Sequence, residues 1–481
     1  MTTLQPAPSR RVSGVPGRLD QHPVDRPAVR PSRPVLPAPD RSELDRTAPD
    51  RVVVARRSLR DPFVDGVRAV GTLLVIALHW VMVEATWDGD RLLVGNALAH
   101  GSAWLLTWLQ PLPLLFFAAG AAARYDLVRH PDQPGWRFAG SRLLRMAVPV
   151  GVFAAVWVAL VAVLPPLGVP EAAVDRAARI VPQPLWFLAV QLGLLALTPW
   201  LVRLVARHGS RVLVVAAAAP LVVDLLRFSD EVTFPGAPNI LLVWAVPYLG
   251  GVVHAGRRAA ALAREHEVPD GSEQRGGRPA SRSERGVLAL VAAGGLTATV
   301  LLLTFGPYPV SLIGLPGDAM SNLAPPTAPV VTFAIAQVAA ALLVRDALAG
   351  WAGRSRLVRW VGARSMGLYL WHLTAMFAVS GTVLLALGRA LPEPWTGDWW
   401  TTRAGYLGAS ALVLVVLVAL AARAQRLVPR RRAAGAGPAD GGRERAGALP
   451  VHAHAHAHAA SAAPVGPAAL AASVDQPSCS S

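Results

Sequence analysis

Residues Arg60–Trp80 read R-D-P-F-V-D-G-V-R-A-V-G-T-L-L-V-I-A-L-H-W. The stretch opens charged and then turns apolar, with Arg68 at the mouth of the apolar run and His79 deep inside it. A helix turns about 100° per residue, so these two side chains differ by only ~20° in azimuth. Thr72 falls on the same stripe. Their axial separation is about 16 Å at ~1.5 Å per residue, roughly half of a ~30 Å hydrocarbon core. The stripe therefore predicts a guanidinium near one membrane face and an imidazole near the midplane, both looking into the same space. An ionisable group at that depth is costly and usually has a functional reason.

The rest of the composition agrees with a membrane setting. The chain has 481 residues, 53% of them hydrophobic and 16% charged. That is too apolar for a soluble enzyme of this length, and several runs exceed ~18 uncharged residues. The expected fold is all-α, a polytopic transmembrane helical bundle. The net charge is +16, and every basic residue is arginine. Nucleic acid is not the expected partner, because the arginines fall in tails and loops where membrane topology places them. Cys479 is the one cysteine, which excludes disulfides and thiolate metal sites within the chain. The first 60 residues carry no apolar core of a cleavable signal peptide.

Ten spans are expected, near 67–87, 103–123, 145–166, 184–204, 211–227, 238–256, 286–305, 325–346, 365–388 and 403–424. With the N-terminus inside, twenty arginines fall in inner loops and six, among them Arg227 and Arg403, in outer ones. This asymmetry predicts both termini in the cytoplasm. Residues 1–58 and 425–481 are expected to be disordered cytoplasmic tails flanking a 59–424 transmembrane domain, with a cytoplasmic linker at 257–285. The second tail carries His452, His454, His456 and His458, which read as low-complexity drift.

The order arginine, D-G-x-R, ten residues, histidine resembles the start of the acyltransferase-3 family of integral-membrane O-acyltransferases. The segment R-S-M-G-L-Y-L-W-H-L, 364–373, is similar to that family's S-x-x-L-Y-L-W-H signature. The likeness runs over about residues 60–424. It implies that Arg68 and His79 are the functional pair, with His79 as catalytic base or acyl acceptor. The residue types agree independently: a neutral buried imidazole suits proton removal from a hydroxyl, and Asp65, three residues before Arg68, is placed to fix its rotamer. Tyr369 and His372 share a helix face and are expected to line the donor's path or orient substrate. Arg142 and Arg145 share a face where the third span leaves the cytoplasm, suited to coenzyme A phosphates or to plain anchoring. Trp186, in a W-F-L that the family also carries, is expected to shape the pocket. The loop 306–327, through Asp318, Ser321 and Asn322, is a candidate mouth for an external acceptor, or a structural cap. One departure is L-F-F-A-A-G-A-A-A, where Ala119 and Ala121 replace a serine and an aromatic of many relatives.

The resemblance implies transfer of a short acyl group, acetyl foremost, from cytoplasmic acyl-CoA to a hydroxyl of a carbohydrate or cell-envelope glycan. No metal is expected. The expected partners are membrane lipid and a glycan or small-molecule acceptor, in a bacterial plasma membrane. A transporter or flippase of a small acid or lipid-linked sugar would use a similar cavity without bond-making. A haem held between His79 and His372 is a third possibility.

Overall fold

The computed structural model describes residues 59–229, 236–267 and 281–427. The expected tails, most of the middle of the 257–285 linker, the tail histidines and Cys479 lie outside the described residues. Helix α1, Pro62–Val81, starts earlier and stops earlier than the expected span at 67–87. Its start is set by Asp61, whose side chain accepts from the Phe63 amide, and by Pro62 in the first turn. Its end is set by a hairpin, β1 (Val83–Trp87) paired antiparallel with β2 (Leu92–Asn96). Asp88 and Gly89 make the turn: the aspartate accepts from the Asp90 and Arg91 amides at 2.9 and 2.6 Å, and Gly89 has φ +99°.

After a short helical stretch at 101–109 come α2 (Leu112–Arg129), α3 (Gly135–Val163) and an amphipathic α4 (Glu171–Ile180). Helices α5 (Leu185–His208), α6 (Arg211–Arg227), α7 (Asn239–Glu267) and α8 (Arg282–Phe305) follow. Then come α9 (Ala328–Leu343), α10 (Arg345–Arg354), α11 (Arg356–Gly381) and α12 (Gly397–Leu427). Thus α7 runs on well past the expected start of the linker, and α12 begins before the expected span at 403–424.

The architecture is the all-α membrane bundle that the sequence predicts. Each of the ten expected spans meets a helix. Eight of the described helical segments are long and apolar enough to cross a membrane, and the α9–α10 pair, bent by 67°, makes a ninth. Helix α6 has 17 residues, carries Arg211, Asp224 and Arg227, and is not among these eight.

Helix α1 is half enclosed by protein, and α2, α7 and α11 somewhat more so, whereas α3 and α8 present most of their surface outward. It packs against α2 on one side and α10–α11 on another. Helix α2 in turn crosses α7 at very close range. A Cβ on Gly120 would collide with the Tyr248 carbonyl, and one on Gly251 with the Phe117 carbonyl. Small residues let membrane helices approach this far.

Candidate active site

His79 lies in the last turn of α1 rather than at the middle of its own helix. It nevertheless sits beside the middle of α11, because α1 begins level with the start of that longer rod. Pro62 lies against Gly353, Gly362 leaves room for Arg68, and Trp80 meets His372. The hairpin after α1 fills what remains.

The rings of His79 and His372 meet edge to face, 4.9 Å between centroids. Nδ1 of His79 lies 2.7 Å from the Val75 carbonyl, and Nδ1 of His372 lies 2.6 Å from the Tyr369 carbonyl. A carbonyl only accepts, so each Nδ1 carries the ring proton and each Nε2 is left as a lone-pair acceptor. Nε2 of His372 is buried and without a partner. His372 has no exposed surface, whereas His79 keeps part of its surface accessible. The pair is thus two bases in contact, with one of them reachable. No macrocycle fits between rings in direct contact, which removes the haem arrangement.

Toward the N-terminal end of α1 the stripe continues through Thr72, whose hydroxyl donates to the Arg68 carbonyl at 2.8 Å. Arg68 Nη2 donates to Asp65 at 2.7 Å, and Arg60 shares the same carboxylate at 3.0 Å. The expected Asp65–Arg68 pairing is formed. Arg68 Nε is buried and has no partner. Arg142 pairs with Asp126, stacks over the Phe138 ring at 3.8 Å and donates to the Phe138 carbonyl at 2.7 Å. Arg145 is exposed, with Nε 3.3 Å from the Ser141 carbonyl. Because Asp126 adjoins Tyr125, and Tyr125 reaches the start of α1, these arginines gather at the same end of the bundle as Arg68.

That end holds a residue that the sequence reading passed over. Asp61 is 7% exposed. It accepts from Tyr125 at 2.6 Å, contacts His254 at 3.0 Å and has Arg258 within 3.7 Å. Burial by itself would raise its pKa. The hydrogen bonds from His254 and Tyr125 and the charges of His254 and Arg258 outweigh that and bring it down to about 2. The Asp-Pro step just ahead of an apolar run was the signal available.

On the opposite side of the histidine pair stands an aromatic wall. Tyr369 lies 5.8 Å from His372 and 5.2 Å from Phe187, and its hydroxyl donates to the Pro184 carbonyl at 2.7 Å. Phe116 stacks on Trp244 at 4.9 Å, and Trp186 packs on Trp244 at 5.9 Å while remaining 37% exposed. Trp186 therefore reaches the pocket wall through Phe187 and Trp244 rather than touching either histidine.

The side chains of Asp318, Ser321 and Asn322 are engaged within the loop 306–327. Asn322 has no exposed surface; its amide donates to the Pro309 and Ser311 carbonyls at 2.8 and 2.6 Å and accepts from Thr327 at 2.7 Å. Asp318 accepts from Ser311 at 2.7 Å and from the Leu315 amide at 3.0 Å. Ser321 accepts from the Leu323 amide at 3.0 Å. These groups hold the loop's own fold, because an uncharged, Pro- and Gly-rich segment needs side chains to satisfy its backbone. An apolar groove of about 330 Å³, lined by Leu221, Leu301, Leu302 and Val331 among others, opens between α6, α8 and α9, away from the histidines.

Compared with known proteins, the chain matches the acyltransferase-3 family model, described as an acyltransferase domain, over residues 61–422. No curated protein and no solved structure matches it.

Proposed function

The chain belongs to the acyltransferase-3 family and is a multi-pass membrane acyltransferase, and from that premise we propose that it moves a short acyl group, acetyl foremost, from cytoplasmic acyl-CoA to a hydroxyl of a carbohydrate or cell-envelope glycan in a bacterial plasma membrane. The observation that carries this reading is the histidine pair: two Nε2 acceptors with their proton-bearing nitrogens tied to backbone carbonyls, only one of them accessible. A hydroxyl entering beside His79 gives its proton to Nε2 as its oxygen attacks the thioester carbonyl. The C–O bond forms, the C–S bond breaks, and the departing thiolate takes the proton from the imidazolium, so His79 returns neutral. Positioned base catalysis of this kind is worth about 10² to 10⁴ in rate.

The donor would lie along α1. Its phosphates would meet the arginines at the cytoplasmic end, Arg68 with Arg142 and Arg145, and its acyl end would reach the imidazole about 16 Å farther up the helix. Arg145 is the freest of these cations; Arg142 would have to exchange Asp126 for a phosphate. Tyr369 and His372 would line the thioester's approach. Asp65 holds Arg68 in place. Trp186, the exposed member of the aromatic wall, is the surface on which a sugar ring would lie.

Membranes carrying wild type or His79→Ala, supplied with acetyl-CoA, test the reading by release of free CoA thiol and by mass spectrometry of envelope glycans. The expected result is loss of both signals by at least ~100-fold in the variant. Equal glycan acylation in the two membranes removes the enzyme mechanism as written.

A further inference from the structure

Trp80 and Arg403 form a clamp on the last turn of α1. Arg403 sits in α12 and is only 8% exposed, yet among the described residues no carboxylate pairs with it. Its Nη2 donates to the carbonyls of Trp80 and Val81, each at 2.5 Å. Those carbonyls belong to the end of α1, where a helix leaves acceptors without partners and carries partial negative charge. The guanidinium also lies over Trp399 at 4.3 Å and Tyr406 at 4.9 Å, whose ring faces favour a cation. Its Nε has no partner.

A buried charge without a carboxylate partner is costly, and a neutral residue would pack there more cheaply. What the cation gains is hold over one helical turn, and His79 is in that turn. The second half of the clamp is the indole of Trp80. Its N–H donates to the His372 carbonyl at 3.0 Å, across a sequence distance of 292 residues. One residue therefore offers its carbonyl to Arg403 and its side chain to the backbone of the facing histidine. The register of α1 against α11, and with it the 4.9 Å contact of the rings, is fixed at this point.

We propose that Arg403 and Trp80 are positioning residues that hold His79 against His372, so that a hydroxyl meets both the accessible base and the thioester. This rests on the proposed acyl transfer. Neither residue touches the reacting atoms. Loosening the clamp misplaces the base without altering the arginines that would bind the donor, and a displacement of about 1 Å costs up to ~10²-fold in rate.

The test measures kcat and KM for acetyl-CoA in purified full-length protein for Arg403→Met, Arg403→Lys, Trp80→Phe and His79→Ala. In Arg403→Met, kcat is expected to fall ~10- to 100-fold while KM for the donor stays within ~2-fold. Arg403→Lys keeps a cation that can reach the carbonyls and is expected to recover most of that loss, which a mere packing role would not predict. Trp80→Phe removes the N–H bond together with part of the buried indole, and about a tenfold fall in kcat is expected with KM for the donor within ~2-fold; it decides the matter if Arg403→Met fails to fold. Unchanged kcat in Trp80→Phe, or loss appearing in KM alone, overturns the clamp. His79→Ala separates the two ideas. An active His79→Ala sinks the acyl-transfer mechanism, whereas an inactive His79→Ala beside fully active clamp variants sinks only the clamp.

Discussion

At the scale of single residues, the two ends of α1 are held by unlike devices. At the far end Arg403 grips carbonyls; at the near end Asp61 caps amides and gathers Tyr125, His254 and Arg258. The Asp61 carboxyl has a pKa depressed from 3.8 to about 2, with the bonds to His254 and Tyr125 outweighing burial. A depressed carboxylate stabilises the fold above its unfolded value, and that contribution fades as pH falls through about 2. At 1.36 kcal/mol per unit the shift corresponds to about 2 kcal/mol. Asp61→Asn is therefore expected to lower stability by about 2 kcal/mol at about pH 5, a deficit that shrinks as pH falls toward about 2, read as thermal unfolding in detergent micelles. Equal unfolding midpoints at about pH 5 contradict the assignment. Arg68 and His79 are legible in the sequence because burying a charged or titratable group in an apolar run is too costly to persist without a use. Trp80 and Arg403 are not, since their partners lie 292 and 323 residues away. Hydropathy alone leaves Arg403 in an outer loop, because the cap of its helix, Thr396 accepting from the Trp399 amide at 3.3 Å, carries no apolar signal.

At the scale of elements, hydrophobic runs place the helices well and their ends poorly. Periodicity and apolarity cannot say where a helix stops when the following residues are also apolar. So V-E-A-T-W passes for the end of the first span, although its β-branched residues and the D-G that follows make a hairpin. The packing between elements is hidden for a different reason: a glycine in a run of alanines carries no visible signal. The crossing of α2 and α7 turns on Gly120, set among alanines, and on Gly251, set in L-G-G-V-V, and Gly250 and Gly251 offer a controlled pair. A Cβ on Gly251 would strike the Phe117 backbone, whereas one on Gly250 would meet Phe117 and Val338 side chains at 3.7 and 3.9 Å, ordinary contact. Gly251→Ala is expected to lower stability by about 1 to 3 kcal/mol or more, and Gly250→Ala by less than about 1 kcal/mol. Unfolding midpoints in detergent compare them. Equal midpoints would mean that the two helices do not approach as closely as described.

At the scale of the whole molecule, the open matter is how many times the chain crosses, and α6 decides it. Seventeen residues reach only ~25 Å, less than a ~30 Å core. Yet its two ends belong to opposite faces of the bundle. It follows directly on α5, after Gly209. Its far end carries Asp224, 1% exposed, which accepts from Tyr308 at 3.0 Å, from the Ala328 amide at 2.7 Å and from Asn239 at 2.8 Å. Tyr308 and Ala328 flank the same loop whose Leu312 amide donates to Thr107 at 3.1 Å, on the side of the hairpin that follows α1. A short helix that joins both faces crosses by tilting little and letting the bilayer thin around it. Counting α6, and taking α9 with α10 as one bent span, gives an even number of crossings, the ten of the sequence reading, with the start of α1 and the end of α12 on one side. The arginine asymmetry predicts that this side is the cytoplasmic one. Reporters inserted after Asp132 and Ser210 are expected to read cytoplasmic, and reporters after Gly89 and Gly317 to read external. If Ser210 and Gly317 report the same side, α6 does not cross, the later helices invert, and His372 could not descend beside His79 from the face that α1 requires.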